Sequence, residues 1–215
     1  MYSVLFIMDN SGSMKSLGKE PIDSLNNFYK DQIVSGNFNS TLVFFNNKVD
    51  FIHKNILSSK LETISYDKYV PNGMTALYDA IGDGIEYQKT IHNDNVIVVI
   101  LTDGLENSSQ KYNKSKIKDL VSKLEKDNGW KFIYLGANQD SFEVGKSIGV
   151  NTSSNYEYSP IGINCIMRTV SNNISYCLSN KTPVKDISLD QQEKSLQISI
   201  DSLTDERTVT IKEKI

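Results

Sequence analysis

The sequence predicts an α/β protein in which helices pack against a doubly wound sheet, and three observations point there. Two continuous apolar runs, Val4 to Met8 and Val96 to Leu101, show no polar alternation, the mark of strands buried on both faces. Several other segments repeat apolar residues at helical spacing. Strand-like and helix-like segments alternate along the chain, an order that right-handed crossovers turn into a parallel sheet.

The first run ends abruptly in Asp9, Asn10, Ser11, Gly12 and Ser13, a polar loop. Pro21 suits the first helical position, and Ile22, Leu25, Phe28, Tyr29 and Ile33 then recur with helical period as far as Ser35-Gly36. Thr41 to Phe45 and Val49 to Ile52 read as short strands joined through Asn46-Asn47-Lys48, an antiparallel hairpin. Ser58 to Tyr69 fits neither template. Pro71-Asn72-Gly73 breaks the chain, and Thr75 serves as N-cap for a helix whose apolar face is Leu77, Ala80, Ile81, Ile85 and Ile91. Gly82 and Gly84 each cost that helix about 1 kcal/mol relative to alanine, so they mark close packing against a neighbour. Val96 to Leu101 reads as a central strand and ends in Thr102-Asp103-Gly104. Ile117, Leu120, Val121 and Leu124 form the next helix, stopped by Asn128-Gly129. Trp130 to Leu135 is a further strand, followed by Gly136-Ala137-Asn138-Gln139-Asp140 and a short helix over Ser141 to Ile148. Ile163, Ile166, Met167, Val170, Ile174, Cys177 and Leu178 make the cleanest helical stripe, a face for the core. Residues 1–180 are thus expected as one domain and residues 181–215 as an extension. In the extension, Leu196 to Ile200 and Thr208 to Ile211 alternate around Thr204-Asp205-Glu206, predicting a β-ribbon that needs the main domain or a partner to pack on.

Composition removes several function classes. A net charge of -3, a pI near 5.5 and no Lys-rich patch with interleaved aromatics exclude nucleic acid as an expected partner. No segment has the length of a membrane span, and the first apolar run lacks a basic lead-in, so the start reads as mature and the protein as cytoplasmic. Cys165 and Cys177 are placed on one helix at a separation of about 18 Å, beyond disulfide reach. They read as small buried hydrophobes, which suits a reducing compartment.

The chemistry gathers at the loop after the first strand, where Asp9, Ser11 and Ser13 form the pattern D-x-S-x-S. One carboxylate and two hydroxyls can converge on a point if Gly12 lets the backbone fold closely. An all-oxygen set without Cys or His suits a hard cation, Mg²⁺ ahead of Mn²⁺ or Ca²⁺. The same residues also make an ordinary strand-to-helix loop, since Ser and Asp are common turn and capping residues. In a doubly wound sheet, ligands sit outside the carboxyl ends of the strands where the winding reverses. If the two buried strands are neighbours, Asp9 and Asp103 face one crevice and Thr75 adds a third hydroxyl.

Taken together, Asp9, Ser11 and Ser13 after the first strand, Thr75 within Gly73-Met74-Thr75-Ala76-Leu77, and Asp103 within Thr102-Asp103-Gly104 resemble the von Willebrand factor type A domain with a metal-ion-dependent adhesion site (MIDAS). The resemblance covers about Met1 to Asn180, and the segment Leu135 to Val150 is similar to that of bacterial and phage-type intracellular members. It implies a six-stranded, mostly parallel sheet with helices on both faces. It also implies a Mg²⁺ site with Ser11, Ser13 and Thr75 as direct ligands, and Asp9 and Asp103 acting largely through water. Neutral direct ligands leave the ion's charge uncompensated, so an open coordination position takes a Glu or Asp from a partner protein. On this reading the chain is a non-enzymatic interaction module. Glu106 is expected as a solvated loop charge and Asp79 as a hydrogen-bonding support for nearby loops. His53 and His92 show no ligand spacing and read as ordinary surface or edge residues. Two alternatives stand beside the module. A Mg²⁺-dependent phosphohydrolase would need a second carboxylate where Ser11 stands, and a base that no His, Lys or Arg of these loops obviously supplies. A self-assembling subunit would fill a neighbour's metal site with its own acidic loop or ribbon.

Overall fold

The computed structural model describes residues 1–91, 94–137, 141–181 and 183–184. The expected C-terminal ribbon, His92 and Asn138-Gln139-Asp140 lie outside the described residues. Six strands form one sheet: β1 (Tyr2–Asp9), β2 (Phe38–Phe45), β3 (Val49–Leu57), β4 (Val96–Thr102), β5 (Lys131–Ala137) and β6 (Thr152–Tyr156). Their spatial order is β3-β2-β1-β4-β5-β6, with all pairings parallel except the β2–β3 hairpin. Among the described residues the α-helices are α1 (Glu20–Ser35), α2 (Leu77–Ile91), α3 (Lys114–Asn128), α4 (Ser141–Ser147) and α5 (Pro160–Asn180).

Alternation along each strand divides the core in two. Val4, Phe6 and Met8 of β1 and Ile97, Val99 and Leu101 of β4 pack with Phe28 and Tyr29 of α1 and with Ile163 and Val170 of α5. Leu5 and Ile7, with Val98 and Ile100, pack on the opposite side with Ala80, Ile81 and Ile85 of α2 and Ile117 and Val121 of α3. Both central strands are apolar throughout because each face is covered by helices, which is why neither run alternates. From β1 the chain winds one way through β2 and the other way through β4, so the reversal falls between β1 and β4.

The glycines of α2 are explained by contact. A Cβ on Gly82 would lie 2.4 Å from the Tyr112 ring, and one on Gly84 would lie 3.3 Å from Leu5. Gly129 closes α3 in the left-handed conformation, donating its N–H to Leu124 O. Several expectations need correction. Ile33 is exposed, because Gln32 takes the inward position at the end of α1 and donates to Ser171 of α5. Helix α2 begins at Leu77, so Thr75 lies before its first turn. Cys165 is half-buried, whereas Cys177 is buried. Strand β6 had no counterpart among the strands read from the sequence; its residues, Thr-Ser-Ser-Asn-Tyr, form a polar edge held by pairing to β5. Ser58 to Tyr69 contains two short 3₁₀ turns, Ser58–Lys60 and Tyr66–Lys68. No helix among the described residues is long and apolar enough to cross a membrane.

Candidate metal centre

The loop that follows β1 is fixed from below and from the side. A 3₁₀ turn over Gly12–Leu17 buries Met14 and Leu17 in the core, which pins the polar residues before them at the sheet's upper edge. Asn10 donates its N–H to Phe45 O, and Asn72 donates to Asn10 O. Gly12 donates to Gly73 O at 3.1 Å, and a Cβ on Gly12 would stand 3.3 Å from that oxygen. The close backbone approach expected at Gly12 is therefore present, and its neighbour is the loop that carries Thr75.

Asp9 is completely buried at the end of β1. Its Oδ1 accepts the Ser11 N–H at 2.7 Å and its Oδ2 accepts the Thr102 hydroxyl at 2.6 Å. Burial pushes its carboxyl up to about 6, against the lowering effect of those bonds, and the charge of Asp103 adds to the rise. Ser11 Oγ and Ser13 Oγ are 3.0 Å apart, and Ser13 Oγ donates to Asp103 Oδ1 at 2.7 Å. Gly104, next to Asp103, closes the ring: a Cβ there would lie 3.4 Å from Thr75 Oγ1 and 3.8 Å from Ser13 Oγ. The structure thus brings together Asp9, Ser11, Ser13, Thr75 and Asp103 at the carboxyl ends of β1 and β4, where the winding reverses.

Thr75 is placed by backbone pairing and not by helix capping: its N–H donates to Asn107 Oδ1 and its carbonyl accepts from the Asn107 N–H. Glu106 corrects a second expectation. It is not a solvated charge; its carboxylate accepts the N–H of Tyr78, Ser108 and Ser109 and the Ser109 hydroxyl, satisfying a donor of the first turn of α2. Asp79 supports the same loop as expected, accepting the N–H groups of Gln110, Lys111 and Tyr112. His53 lies on the edge strand β3, stacked on Tyr29, and burial lowers its pKa.

The sequence reading missed a ring of tyrosines around the site. Tyr69 donates to the Asp9 carbonyl at 2.7 Å, Tyr156 lies 3.5 Å from the Thr102 carbonyl, and Tyr158 donates to the Ser13 carbonyl and bonds Ser16. Burial raises all three phenols, so they stay protonated donors at neutral pH. Thr102 left a faint signal, a hydroxyl ending an apolar run; the tyrosines left none.

The donor chemistry fits a hard divalent cation. Two carboxylates and three hydroxyls meet, and among the described residues no cluster of three or more His, Cys, Asp and Glu side chains competes with them.

The fold is that of a von Willebrand factor A domain, with the gathered hydroxyls and carboxylates at the edge where such a sheet binds ligands. No family model and no curated protein sequence matches the chain. Among solved structures, it is similar to the von Willebrand factor domain of the type V pili tip protein Mfa5 from Porphyromonas gingivalis, with TM-score 0.60, 10% identity and coverage of 82% of this chain and 96% of that one. It is similar to a von Willebrand factor type A protein from Catenulispora acidiphila at TM-score 0.59 and 14% identity, covering 80% of this chain and 42% of the other. Proximal thread matrix protein 1 from the mussel byssus, in a structure with a zinc-occupied MIDAS motif, matches at TM-score 0.54 and 18% identity, covering 81% and 46%. The chain spans less than half the length of the latter two proteins. Likeness at these identities shows the fold.

Proposed function

We propose that the chain is a non-enzymatic, metal-dependent protein-interaction module in which Ser11, Ser13 and Thr75 hold Mg²⁺ directly and Asp9 and Asp103 hold it largely through water. When bound, the ion supplies a Lewis-acidic position that accepts a Glu or Asp carboxylate of a partner protein. What carries the reading is the convergence of the Ser11, Ser13, Thr75 and Asp103 side chains around Gly104, drawn from three loops that are far apart in sequence. The chain's own residues do the positioning. Thr102 and the Ser11 N–H fix the Asp9 carboxylate, Tyr158 fixes the serine loop, and Asn107 fixes Thr75. The Thr102 hydroxyl and the Ser11 backbone N–H, with no His, Lys or Arg side chain, hold the Asp9 carboxylate among the described residues, which supports binding over hydrolysis. A bacterial or phage-type intracellular setting belongs to the same proposal, supported by the likeness of Leu135 to Val150.

Calorimetric titration of Mg²⁺ into the full chain and into Ser13→Ala and Asp9→Ala variants tests the site. Saturable 1:1 binding that either substitution weakens at least about tenfold is expected, the loss of one strong ligand contact. Equal affinity in all three proteins refutes the assignment. Zn²⁺ belongs in the titration as a competitor, given the zinc-occupied MIDAS of the mussel protein. Capture of acidic partners in Mg²⁺ but not in chelator, together with no turnover of a generic phosphomonoester, is the outcome that favours a module over an enzyme.

A further inference from the structure

Resting on the metal reading above, we infer that the partner offers its carboxylate from a segment in which a large apolar side chain adjoins the acidic residue, and that Met74, Leu105 and Val70 receive that apolar neighbour. The observation is an apolar rim around a polar centre. Met74 directly precedes Thr75 and is 48% exposed, and Leu105 directly follows Gly104 and is 63% exposed. The two segments run side by side, because Asn107 pairs with Thr75 through both its N–H and its side chain. Val70, 59% exposed, begins the same loop that carries Met74, and this end is tied to the serine loop through Asn72 N–H to Asn10 O, while Tyr69 beside it bonds the Asp9 carbonyl. A single exposed apolar residue is ordinary surface, but three from two neighbouring loops beside one candidate ligand position form a patch of the kind that marks docking.

Charge decides which occupant the patch fits. Glu106 and Asp79 spend their oxygens on backbone N–H groups, and Asp9 is buried, so they present little free negative charge outward. Lys15 and Lys48 are exposed on the adjoining loops, and neither forms an ion pair among the described residues. With a divalent cation balancing Asp9 and Asp103, the ion and the Lys15 and Lys48 ammoniums are the cations beside the apolar collar, while Asp67 near Val70 faces Lys68. That complements an acidic residue with an apolar neighbour and opposes a basic or wholly polar segment.

A phage-displayed library of heptapeptides with a fixed central Glu and randomised flanks tests this, panned on the full chain in Mg²⁺ and on the Met74→Ser/Leu105→Ser double variant, with Mg²⁺ calorimetry on both. Wild-type protein should enrich Leu, Ile, Phe or Met beside the Glu. The double variant should bind Mg²⁺ unchanged yet lose that preference, and an enriched synthetic peptide should bind it about tenfold more weakly. Enrichment with no apolar preference, or no enrichment while Mg²⁺ binds, overturns the inference. A Mg²⁺-dependent dimer that the double variant dissolves assigns the rim to a second copy and also overturns it. Absence of Mg²⁺ binding by the wild-type chain sinks the metal reading and this inference together, and the calorimetry tells that case apart.

Discussion

Asp9 ties stability to metal binding through one proton. Its folded carboxyl sits at about 6, raised by burial from an ordinary 3.8, so the folded chain holds that proton more tightly than the unfolded chain does. The protonated side chain therefore favours folding below about pH 4, and that contribution is lost as pH rises through 6. Metal-free protein should lose stability from this group between those limits, and Asp9→Asn should flatten the profile in urea unfolding. Bound cation requires the ionised form, so Mg²⁺ affinity should fall by up to about tenfold per pH unit below 6. Calorimetry at pH 7.5 and pH 5 checks it; equal affinities would detach Asp9 from the site. Gly73 makes a second residue-scale test. It sits at φ 76°, and a Cβ there would lie 2.1 Å from the Asn47 Oδ1 that accepts the Met74 N–H. Gly73→Ala should cost about 1–3 kcal/mol by denaturant midpoint, because both the backbone conformation and Asn47 must give way. At this scale Asp9, Ser11, Ser13, Thr75 and Asp103 were legible because each adjoins the end of a strand or the start of a helix, where pattern changes mark them. Tyr158 was not legible, since it meets Ser13 from 145 residues away and no local spacing encodes that contact.

Helix α2 begins where the site needs a rigid wall, and its first turn is completed by a side chain from elsewhere. Glu106 accepts the Tyr78 N–H from 28 residues away and also holds Ser108 and Ser109, so one carboxylate closes the helix and folds the loop after β4. Asp79 returns the bond from the helix, accepting three N–H groups of the same loop. Glu106→Ala leaves those donors unsatisfied and should destabilise the chain by about 1–3 kcal/mol in urea. Because Asn107, which positions Thr75, follows directly, Mg²⁺ affinity should drop as well, although Glu106 is not proposed as a ligand. Unchanged affinity would show that the loop keeps Asn107 in place without Glu106. The strands β1, β4 and β5 and the helices were readable because burial on two faces or one face writes a period into the sequence. Strand β6 was not, since its polar residues are held by backbone pairing to β5, which leaves no hydrophobic period. Thr75 was misread as an N-cap for the reason Glu106 was underrated: the partner that completes the helix lies far off in the chain.

Across the whole molecule, folding itself assembles the donor set. Ser13 and Asp103 are 90 residues apart in sequence yet share a hydrogen bond, because β1 and β4 are parallel neighbours whose carboxyl ends open on one edge. An unfolded chain has no such arrangement, so a cation that uses it binds the folded state alone and must stabilise it by mass action. At one hundred times its dissociation constant, Mg²⁺ should add about 2.7 kcal/mol. For a chain of 215 residues that is a rise in melting temperature of roughly 5–10 °C. The rise should grow with the logarithm of Mg²⁺ concentration, reverse in chelator, and vanish in Ser13→Ala/Asp103→Ala. The same double variant should keep the metal-free melting temperature within a few degrees, since Ser13 is exposed and its loop stays anchored by Met14 and Leu17. Binding that registers in calorimetry yet leaves the melting temperature unmoved would place the ion on residues the folded and unfolded chains offer equally, and not at the junction of β1 and β4.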